Sequence, residues 1–255
     1  MKVVILCGGL GTRLSEETNI KPKPMVEIGS QPILWHIMKI FDKYGYKDFI
    51  LPLGYKGDYI KNYFINYKTI NSDFEIDLGS GAIKSFKSSD EDWKINLIDT
   101  GKDTLTGGRL LRLKDSLNDT FMMTYGDGVS DVDIDKLITF HKSHGKIATV
   151  TAVRPQARFG GLEIINNKVE SFIEKPDNNI SNESWINGGF FVFNKEIFDY
   201  LENDMTILEK SPLEKLSREG QLMSFQHNGF WQCMDTIRDK EYLNELVSKG
   251  SIPWL

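Results

Sequence analysis

The stretch VVILCGGLGTRL, residues 3–14, carries the strongest indication of the fold. Its consecutive apolar residues are typical of a buried strand, and the glycines that follow mark an abrupt bend. A strand that ends in glycines exposes backbone N–H groups at the carboxyl edge of a sheet, where doubly wound α/β proteins bind phosphate. The stretch therefore predicts a first strand followed by a phosphate-binding loop.

Two familiar glycine motifs do not fit this loop. A dinucleotide-binding motif needs a third glycine where this chain has Leu14, and a P-loop needs Lys after its last glycine, whereas Gly11 is followed by Thr12 and Arg13. The loop instead ends in a hydroxyl and a permanent cation. Lys23, held between prolines in KPKPMVEIG, adds a second cation, and the pair predicts a polyphosphate site. A tight turn beside surface lysines is the alternative interpretation.

Strand-like and helix-like segments alternate along the chain after this loop. The segment QPILWHIMKIFDKYG, residues 31–45, predicts a helix that is capped by Ser30 and ended by Gly45. Alternation of this kind predicts an α/β fold with a doubly wound, mostly parallel sheet. From about residue 155 a hairpin and further strands predict a mixed extension of the same sheet, because no linker intervenes. Further strands are predicted at 47–55, 93–101, 119–128 and 146–153.

Composition excludes several classes of function. The 255 residues carry a formal net charge of −5, so a general nucleic-acid surface is not expected. Cys7 and Cys233 stand alone without a CxxC motif, so neither a disulfide framework nor a structural zinc site is predicted. No segment approaches the length of a membrane span. We therefore expect a cytoplasmic protein with no nucleic-acid or membrane partner.

Carboxylates stand at two predicted strand ends. Asp127 lies between glycines in YGDG, and Asp235 lies between a strand and a helix, so the two could share one Mg²⁺. The alternative for Asp235 is a helix N-cap, and considered alone that interpretation is favoured. Lys175 ends a β-like run in VESFIEKPD and could hold a second phosphate, although a surface charge is the more common role of a single lysine.

The motifs GGLGTRL, KPKPM, YGDG, EKP, NGGFFVFN and WQCMDT, in this order, resemble the sugar-1-phosphate nucleotidyltransferases over nearly the whole chain. The longer stretches SEETNIKPKPMVEIG, DTGKDTLTGGRL and GFWQCMDTIRDK are most similar to members that use CTP and glucose 1-phosphate. The resemblance implies a Rossmann-like nucleotidyltransferase fold and Mg²⁺-dependent transfer of CMP with release of pyrophosphate. It also implies a single domain, 1–255, with a nucleotide-binding half at 1–154 and a sugar-phosphate-binding half at 155–255.

The resemblance further implies a role for each position that matches a family motif. The implied catalytic residues are Arg13, Lys23, Asp127, Lys175 and Asp235, and the implied ligands of Mg²⁺ are Asp127 and Asp235. The implied nucleotide-binding residues are Leu6, Gly8, Gly9, Gly11, Thr12, Arg13, Lys23 and Gly126, with the base recognised at Thr106, Gly107, Gly108 and Arg109. The implied sugar-phosphate-binding residues are Gly160, Glu174, Lys175, Asn187 and Gly188.

Several alternatives stay open at the level of sequence. Leu10 and Ser15 depart from the commoner family loop, which weakens a thymidylyl assignment, but another base such as that of dTTP or UTP, or another sugar, remains possible. A metal-dependent glycosyltransferase and a non-catalytic nucleotide-sugar sensor are alternatives from other classes. The resemblance also implies a homo-oligomer, with a hexamer as one candidate, and a role in deoxysugar and lipopolysaccharide or O-antigen biosynthesis.

Overall fold

The computed structural model describes residues 1–86, 91–155, 161–165, 168–173 and 184–255. The strands are β1 Val3–Leu6, β2 Glu27–Ile28, β3 Gln31–Pro32, β4 Asp48–Leu53, β5 Phe74–Ile76, β6 Ile83–Ser85, β7 Lys94–Asp99, β8 Phe121–Tyr125, β9 Gly128–Ser130, β10 Ala148–Val153, β11 Gly161–Ile165, β12 Lys168–Ile173, β13 Ile186–Phe193, β14 Leu222–His227 and β15 Trp231–Cys233. The α-helices are α1 Ser15–Thr18, α2 Ile33–Asp42, α3 Gly57–Ile65, α4 Tyr67–Ile70, α5 Thr106–Leu111, α6 Ile134–His144, α7 Ser211–Arg218 and α8 Ile237–Ser248. Short 3₁₀ helices lie at Thr12–Leu14, Lys23–Met25, Lys114–Ser116 and Lys195–Tyr200.

The main sheet has seven strands in the order β14-β10-β13-β8-β1-β4-β7. Neighbouring strands run parallel, except that β13 is antiparallel to both β10 and β8. This arrangement confirms the predicted mixed, mostly parallel sheet. The predicted hairpin is also present, as β11 paired antiparallel with β12. Within the parts of the chain that the structure describes, no helix is both long and apolar enough to cross a membrane.

Strand β1 lies at the point where the order of the sheet reverses. Val3 pairs with Phe49 of β4 on one side and with Met122 of β8 on the other. Connections that leave a sheet in opposite directions open a crevice at the carboxyl ends of the strands, which is where ligands bind in such folds. The glycine loop follows β1 and Asp127 follows β8, so the topology brings both predicted segments to this crevice.

Apolar side chains cover both faces of the sheet. Val3 and Ile5 of β1 belong to the cluster that includes the buried face of α2, whereas Val4 and Leu6 belong to a second cluster with residues of α5 and α7. This division follows from the alternation of side chains along a strand. The predicted apolar face of α2, which is Ile33, Ile37, Ile40 and Phe41, is buried throughout.

The predicted cap of α2 is wrong. The helix begins at Ile33 after Pro32, and no side chain caps it. Ser30 instead lies in the tight turn between β2 and β3, where Ile28 pairs with Gln31 and Gly29 adopts a left-handed backbone with φ 64°. Ser30 therefore cannot reach the start of the helix, because the pairing of Ile28 with Gln31 fixes both ends of the two-residue turn that contains it.

Candidate active site

The loop after β1 is shaped by Gly11. This residue has φ 63°, and a Cβ atom there would lie 2.9 Å from Thr18 Cγ2 and 3.0 Å from Lys23 Cβ. Glycine is thus required both by the backbone conformation and by the close approach of neighbouring side chains. The 3₁₀ turn Thr12–Leu14 begins directly after it and presents Arg13, whose side chain is 71% exposed. The predicted bend is confirmed.

Arg109 forms hydrogen bonds with backbone groups where this loop begins. Its Nη2 atom donates to Gly8 O over 2.9 Å, and its Nη1 atom donates to Leu53 O over 3.0 Å and to Thr100 Oγ1 over 2.8 Å. The guanidinium is buried, and a Cβ atom at Gly8 would lie 2.2 Å from its Cζ atom. The hydrogen bonds that Arg109 donates therefore fix the ends of β1 and β4 relative to each other.

Two cations and two carboxylates meet at the mouth of the loop. Lys23 Nζ lies 2.6 Å from Asp127 Oδ2 and 2.6 Å from Asp235 Oδ1, and Arg13 Nη1 lies 2.5 Å from Asp235 Oδ2. Burial acts to lower the pKa of Lys23, but the charge of Asp127 and the hydrogen bonds to both carboxylates outweigh it and raise that pKa. Lys23 is therefore an ammonium ion at neutral pH. The cluster is electrically balanced in the absence of a ligand.

Asp235 does not cap helix α8. Thr236 is the N-cap: its side chain accepts from Asp239 N, while the Asp239 side chain accepts from Thr236 N in a capping box. The alternative interpretation of Asp235 is therefore wrong, because the neighbouring residue takes the capping role. With its backbone N–H held by Asp239 Oδ2 at 3.1 Å, Asp235 turns its carboxylate to Lys23 and Arg13.

The same carboxylates fit a divalent cation. One ligand atom each from Asp127, Asp235 and Cys233 lie within 4.8 Å of one another. Burial raises the pKa of the Cys233 thiol, and the charges of both aspartates raise it further. Sulfur ligands also suit soft cations, whereas carboxylates suit Mg²⁺. What remains is a pair of hard oxygen donors, the set that a hard cation with several bound waters prefers.

A pocket of about 360 Å³ connects this cluster with the start of α5. It contains all but two of the predicted nucleotide-binding residues. The pocket is lined by Leu6, Gly8, Gly9, Gly11, Thr12, Arg13, Lys23, Pro24, Thr104, Leu105, Thr106, Arg109, Tyr125, Gly126 and Asp127.

Gly107 and Gly108 are the two predicted nucleotide-binding residues outside the pocket lining. Their backbone N–H groups both donate to Thr206 O, over 2.9 Å and 3.2 Å. A Cβ atom at Gly108 would lie 2.3 Å from Asp204 O. In the described structure these glycines pack α5 against the segment before α7, which places Thr106 at the pocket wall.

The predicted sugar-phosphate side is described only in part. Gly160, Glu174 and Lys175 lie outside the described residues. Asn187, on β13, has its Oδ1 atom bonded to Gly189 N over 2.8 Å and its Nδ2 atom 3.5 Å from Tyr125 OH. Gly188 O accepts from Trp231 Nε1 over 2.7 Å, and a Cβ atom at Gly188 would lie 2.9 Å from Thr151 O.

Tyr125 and Glu209 also belong to this site, and neither was predicted from the sequence. Tyr125 lines the pocket, and its hydroxyl donates to Glu209 Oε1 over 2.5 Å. Alternation along a strand end could have indicated Tyr125, because it stands two residues before Asp127. Glu209 has no local signal in the sequence, since only the packing of distant segments brings it to the site.

Comparisons with known proteins agree with this geometry. A family model described as nucleotidyl transferase matches residues 2–238. The chain is 52% identical to glucose-1-phosphate cytidylyltransferase of Salmonella typhimurium over 256 residues, which covers 100% of this chain and 98% of that relative. It is 44% identical to the probable glucose-1-phosphate cytidylyltransferase of Bacillus subtilis, covering 100% and 99%. Among solved structures, HddC from Yersinia pseudotuberculosis matches with a TM-score of 0.70 at 26% identity, covering 96% of this chain and 99% of HddC.

Proposed function

Because the chain belongs to the nucleotidyl transferase family, we propose that it transfers CMP from CTP to α-D-glucose 1-phosphate, giving CDP-glucose and pyrophosphate. The Rossmann-like nucleotidyltransferase fold predicted from the sequence is confirmed. The observation that carries the proposal is the cluster of Lys23, Arg13, Asp127 and Asp235 beside the glycine loop. It combines cations for a triphosphate with carboxylates for a metal ion.

The reaction needs no protein base. The phosphate group of a sugar 1-phosphate is largely a dianion near neutral pH, because the second pKa of a phosphate monoester is about 6. One of its oxygens attacks the α-phosphorus of CTP and forms a new P–O bond. The bond from that phosphorus to the oxygen shared with the β-phosphate breaks, and pyrophosphate leaves with the electron pair. Catalysis then depends on positioning and charge, which is what the cluster supplies.

The glycine loop and the cations bind the nucleotide phosphates in this proposal. Backbone N–H groups of the loop face the triphosphate, and Arg13 and Lys23 exchange their carboxylate partners for phosphate oxygens. Asp127 and Asp235 would hold Mg²⁺, which when bound neutralises the charge that develops on the transferring phosphate. Because both cations already lie against these carboxylates, the exchange needs only short movements.

The second half of the chain binds the acceptor in this proposal. Lys175 holds the sugar phosphate, and Glu174 and Asn187 meet the sugar hydroxyls, with Gly160 and Gly188 close to the ring. We propose one domain over 1–255, in which residues 1–154 bind the nucleotide and 155–255 the sugar phosphate. Support comes from β10, β13 and β14, which belong to the same sheet as β1.

Rival functions fit the site less well. A metal-dependent glycosyltransferase consumes a nucleotide sugar, whose two phosphates carry less negative charge than a triphosphate and so have less need of two cations beside a glycine loop. A sensor that only binds nucleotide sugars gains nothing from two carboxylates that compete with its phosphate groups for Lys23 and Arg13. A dTTP- or UTP-dependent enzyme stays the alternative within the family.

We also propose that the protein is a cytoplasmic homo-oligomer that serves surface-polysaccharide or deoxysugar synthesis. The free thiols of Cys7 and Cys233 are compatible with a reducing compartment. The ribbon formed by β5 and β6 supports self-association: Phe74, Ile76 and Ile83 share one face and are all exposed. Exposed apolar side chains that line one face of a ribbon are typical of an interface.

Pyrophosphate release is the test. Purified protein with Mg²⁺ is incubated with CTP, dTTP, UTP, GTP or ATP, each with and without glucose 1-phosphate. We expect release with CTP only when the sugar phosphate is present. Release with another nucleotide would preserve the mechanism and refute the assignment of the base, and release without any sugar phosphate would indicate hydrolysis.

A further inference from the structure

Two hydroxyl groups in the wall of the pocket share one carboxylate. Thr106 Oγ1 donates to Glu209 Oε2 over 2.7 Å, and Tyr125 OH donates to Glu209 Oε1 over 2.5 Å. Thr106 and Tyr125 line the pocket, whereas Glu209 is not among the described residues that do. Glu209 therefore acts on the pocket through the two hydroxyls.

This arrangement fixes the direction of both hydroxyl protons. An ionised carboxylate can only accept, so each hydroxyl must point its proton at Glu209 and away from the pocket. Leu208 N also donates to Thr106 Oγ1 over 3.0 Å, which leaves the Thr106 hydroxyl one lone pair and no proton for a ligand. The Tyr125 hydroxyl likewise has its proton in the bond to Glu209 Oε1.

The pocket has room for a base beside Thr106. The triphosphate takes the part of the pocket with Arg13 and Lys23, and the remaining wall at Leu6 and Leu105 is apolar. A pyrimidine ring suits such a wall. Its 4-substituent then decides how it meets the Thr106 hydroxyl: cytosine carries an amino group that donates, whereas uracil and thymine carry a carbonyl oxygen that only accepts.

We propose that Glu209 is a positioning residue that determines base specificity, because it turns the hydroxyl of Thr106 into an acceptor that selects a 4-amino pyrimidine over a 4-oxo pyrimidine. An amino group completes the hydrogen bonding of Thr106. A 4-carbonyl oxygen at the same place would face the lone pair of the Thr106 hydroxyl. It would then lack the hydrogen bond that it makes with water before binding. The inference rests on the proposed function in one respect, namely that the nucleotide binds in this pocket.

Glu209→Gln is the variant that tests the inference. The amide offers one acceptor and one donor in place of two acceptors, so one of the two hydroxyls must turn its proton elsewhere. Thr106→Val removes the pocket hydroxyl altogether, and Thr106→Ser keeps it. The matched control is Glu219→Gln, because Glu219 Oε2 accepts from Tyr200 OH over 2.6 Å in an exposed pair of the same chemistry.

Both binding and turnover are measured. Calorimetric titration with CDP and UDP in the presence of Mg²⁺ gives the binding preference, and pyrophosphate release gives the ratio of kcat/KM for CTP to that for UTP. We expect the wild type, Thr106→Ser and Glu219→Gln to prefer cytidine. Glu209→Gln and Thr106→Val should lose about tenfold or more of that preference while remaining folded at the assay temperature.

The outcomes separate the two claims. If CTP supports turnover but Glu209→Gln and Thr106→Val keep the full cytidine preference, the inference is overturned and the proposed function stands. If no sugar phosphate supports turnover but Glu209→Gln abolishes a preference for CDP over UDP, the proposed function fails and the inference stands. A wild type that binds UDP as tightly as CDP would overturn the inference.

Discussion

At the scale of single residues, Lys23 is the group on which the unliganded site depends. Its side chain is 9% exposed and contacts two carboxylates that are themselves mostly buried. Lys23→Met removes the cation between these carboxylates and leaves only Arg13, which pairs with Asp235, so we expect the free energy of unfolding to fall by about 3–5 kcal/mol. Mg²⁺ without nucleotide should then raise the melting temperature of the variant more than that of the wild type, because the ion can replace the lost charge.

Thermal unfolding with and without MgCl₂ measures this effect. Lys21→Met is the matched control, since Lys21 lies in the same segment and pairs at 3.2 Å with Glu27, whose side chain is 56% exposed. A pair of that kind contributes only about 0–1 kcal/mol. Equal melting temperatures for Lys23→Met and Lys21→Met would contradict the account of the cluster.

Substitution of Asp127 tests the catalytic role that we propose for the carboxylates. Asp127→Ala removes a negative charge from the position where a metal ion would bind, so we expect a folded protein whose turnover is at least about 100-fold lower. The control is Asp58→Asn, which removes a charge from a side chain that is 94% exposed. Pyrophosphate release at saturating Mg²⁺ is the measurement, and near-normal turnover of folded Asp127→Ala would refute the metal assignment.

At the scale of elements, the end of β1 is locked to β4 and α5 by Arg109. Gly8→Ala places a Cβ atom 2.2 Å from the buried guanidinium, and we expect a loss of about 1–3 kcal/mol in urea unfolding together with weaker nucleotide binding. Gly9→Ala is the control, because nothing lies within 4 Å of its Cβ position. Equal stability of the two variants would show that Arg109 moves aside freely.

Local sequence pattern was sufficient to predict the strands, helices and loops, but not the helix caps and the contacts between distant segments. Strand β1, the buried face of α2 and the loop at Gly11 follow from apolar runs, helical spacing and glycine punctuation, and the structure confirms them. The cap of α2 was wrong because a hairpin turn competes for Ser30, and no pattern within a few residues reveals that competition. Asp235 and Glu209 depend on partners far away in sequence, which only the assembled sheet brings to them.

At the scale of the whole molecule, the ribbon of β5 and β6 is where we expect copies to meet if the proposed self-association holds. Glu75 and Lys84 occupy the face opposite the apolar one. The double substitution Ile76→Lys and Ile83→Lys charges the apolar face, so we expect light scattering to show dissociation to smaller species with the fold retained. Ile20→Lys, at a 72% exposed position elsewhere, should leave the mass unchanged. An unchanged mass for the double variant would exclude the ribbon as an interface.

In the proposed reaction, an oxygen of the sugar phosphate attacks the α-phosphorus of CTP. Phosphorus NMR of the wild-type reaction with glucose 1-phosphate carrying ¹⁸O in its phosphate group tests this directly, because ¹⁸O shifts the resonance of the phosphorus it is bonded to. We expect all of the label in CDP-glucose and none in pyrophosphate. Label in pyrophosphate or in free phosphate would contradict the proposed reaction.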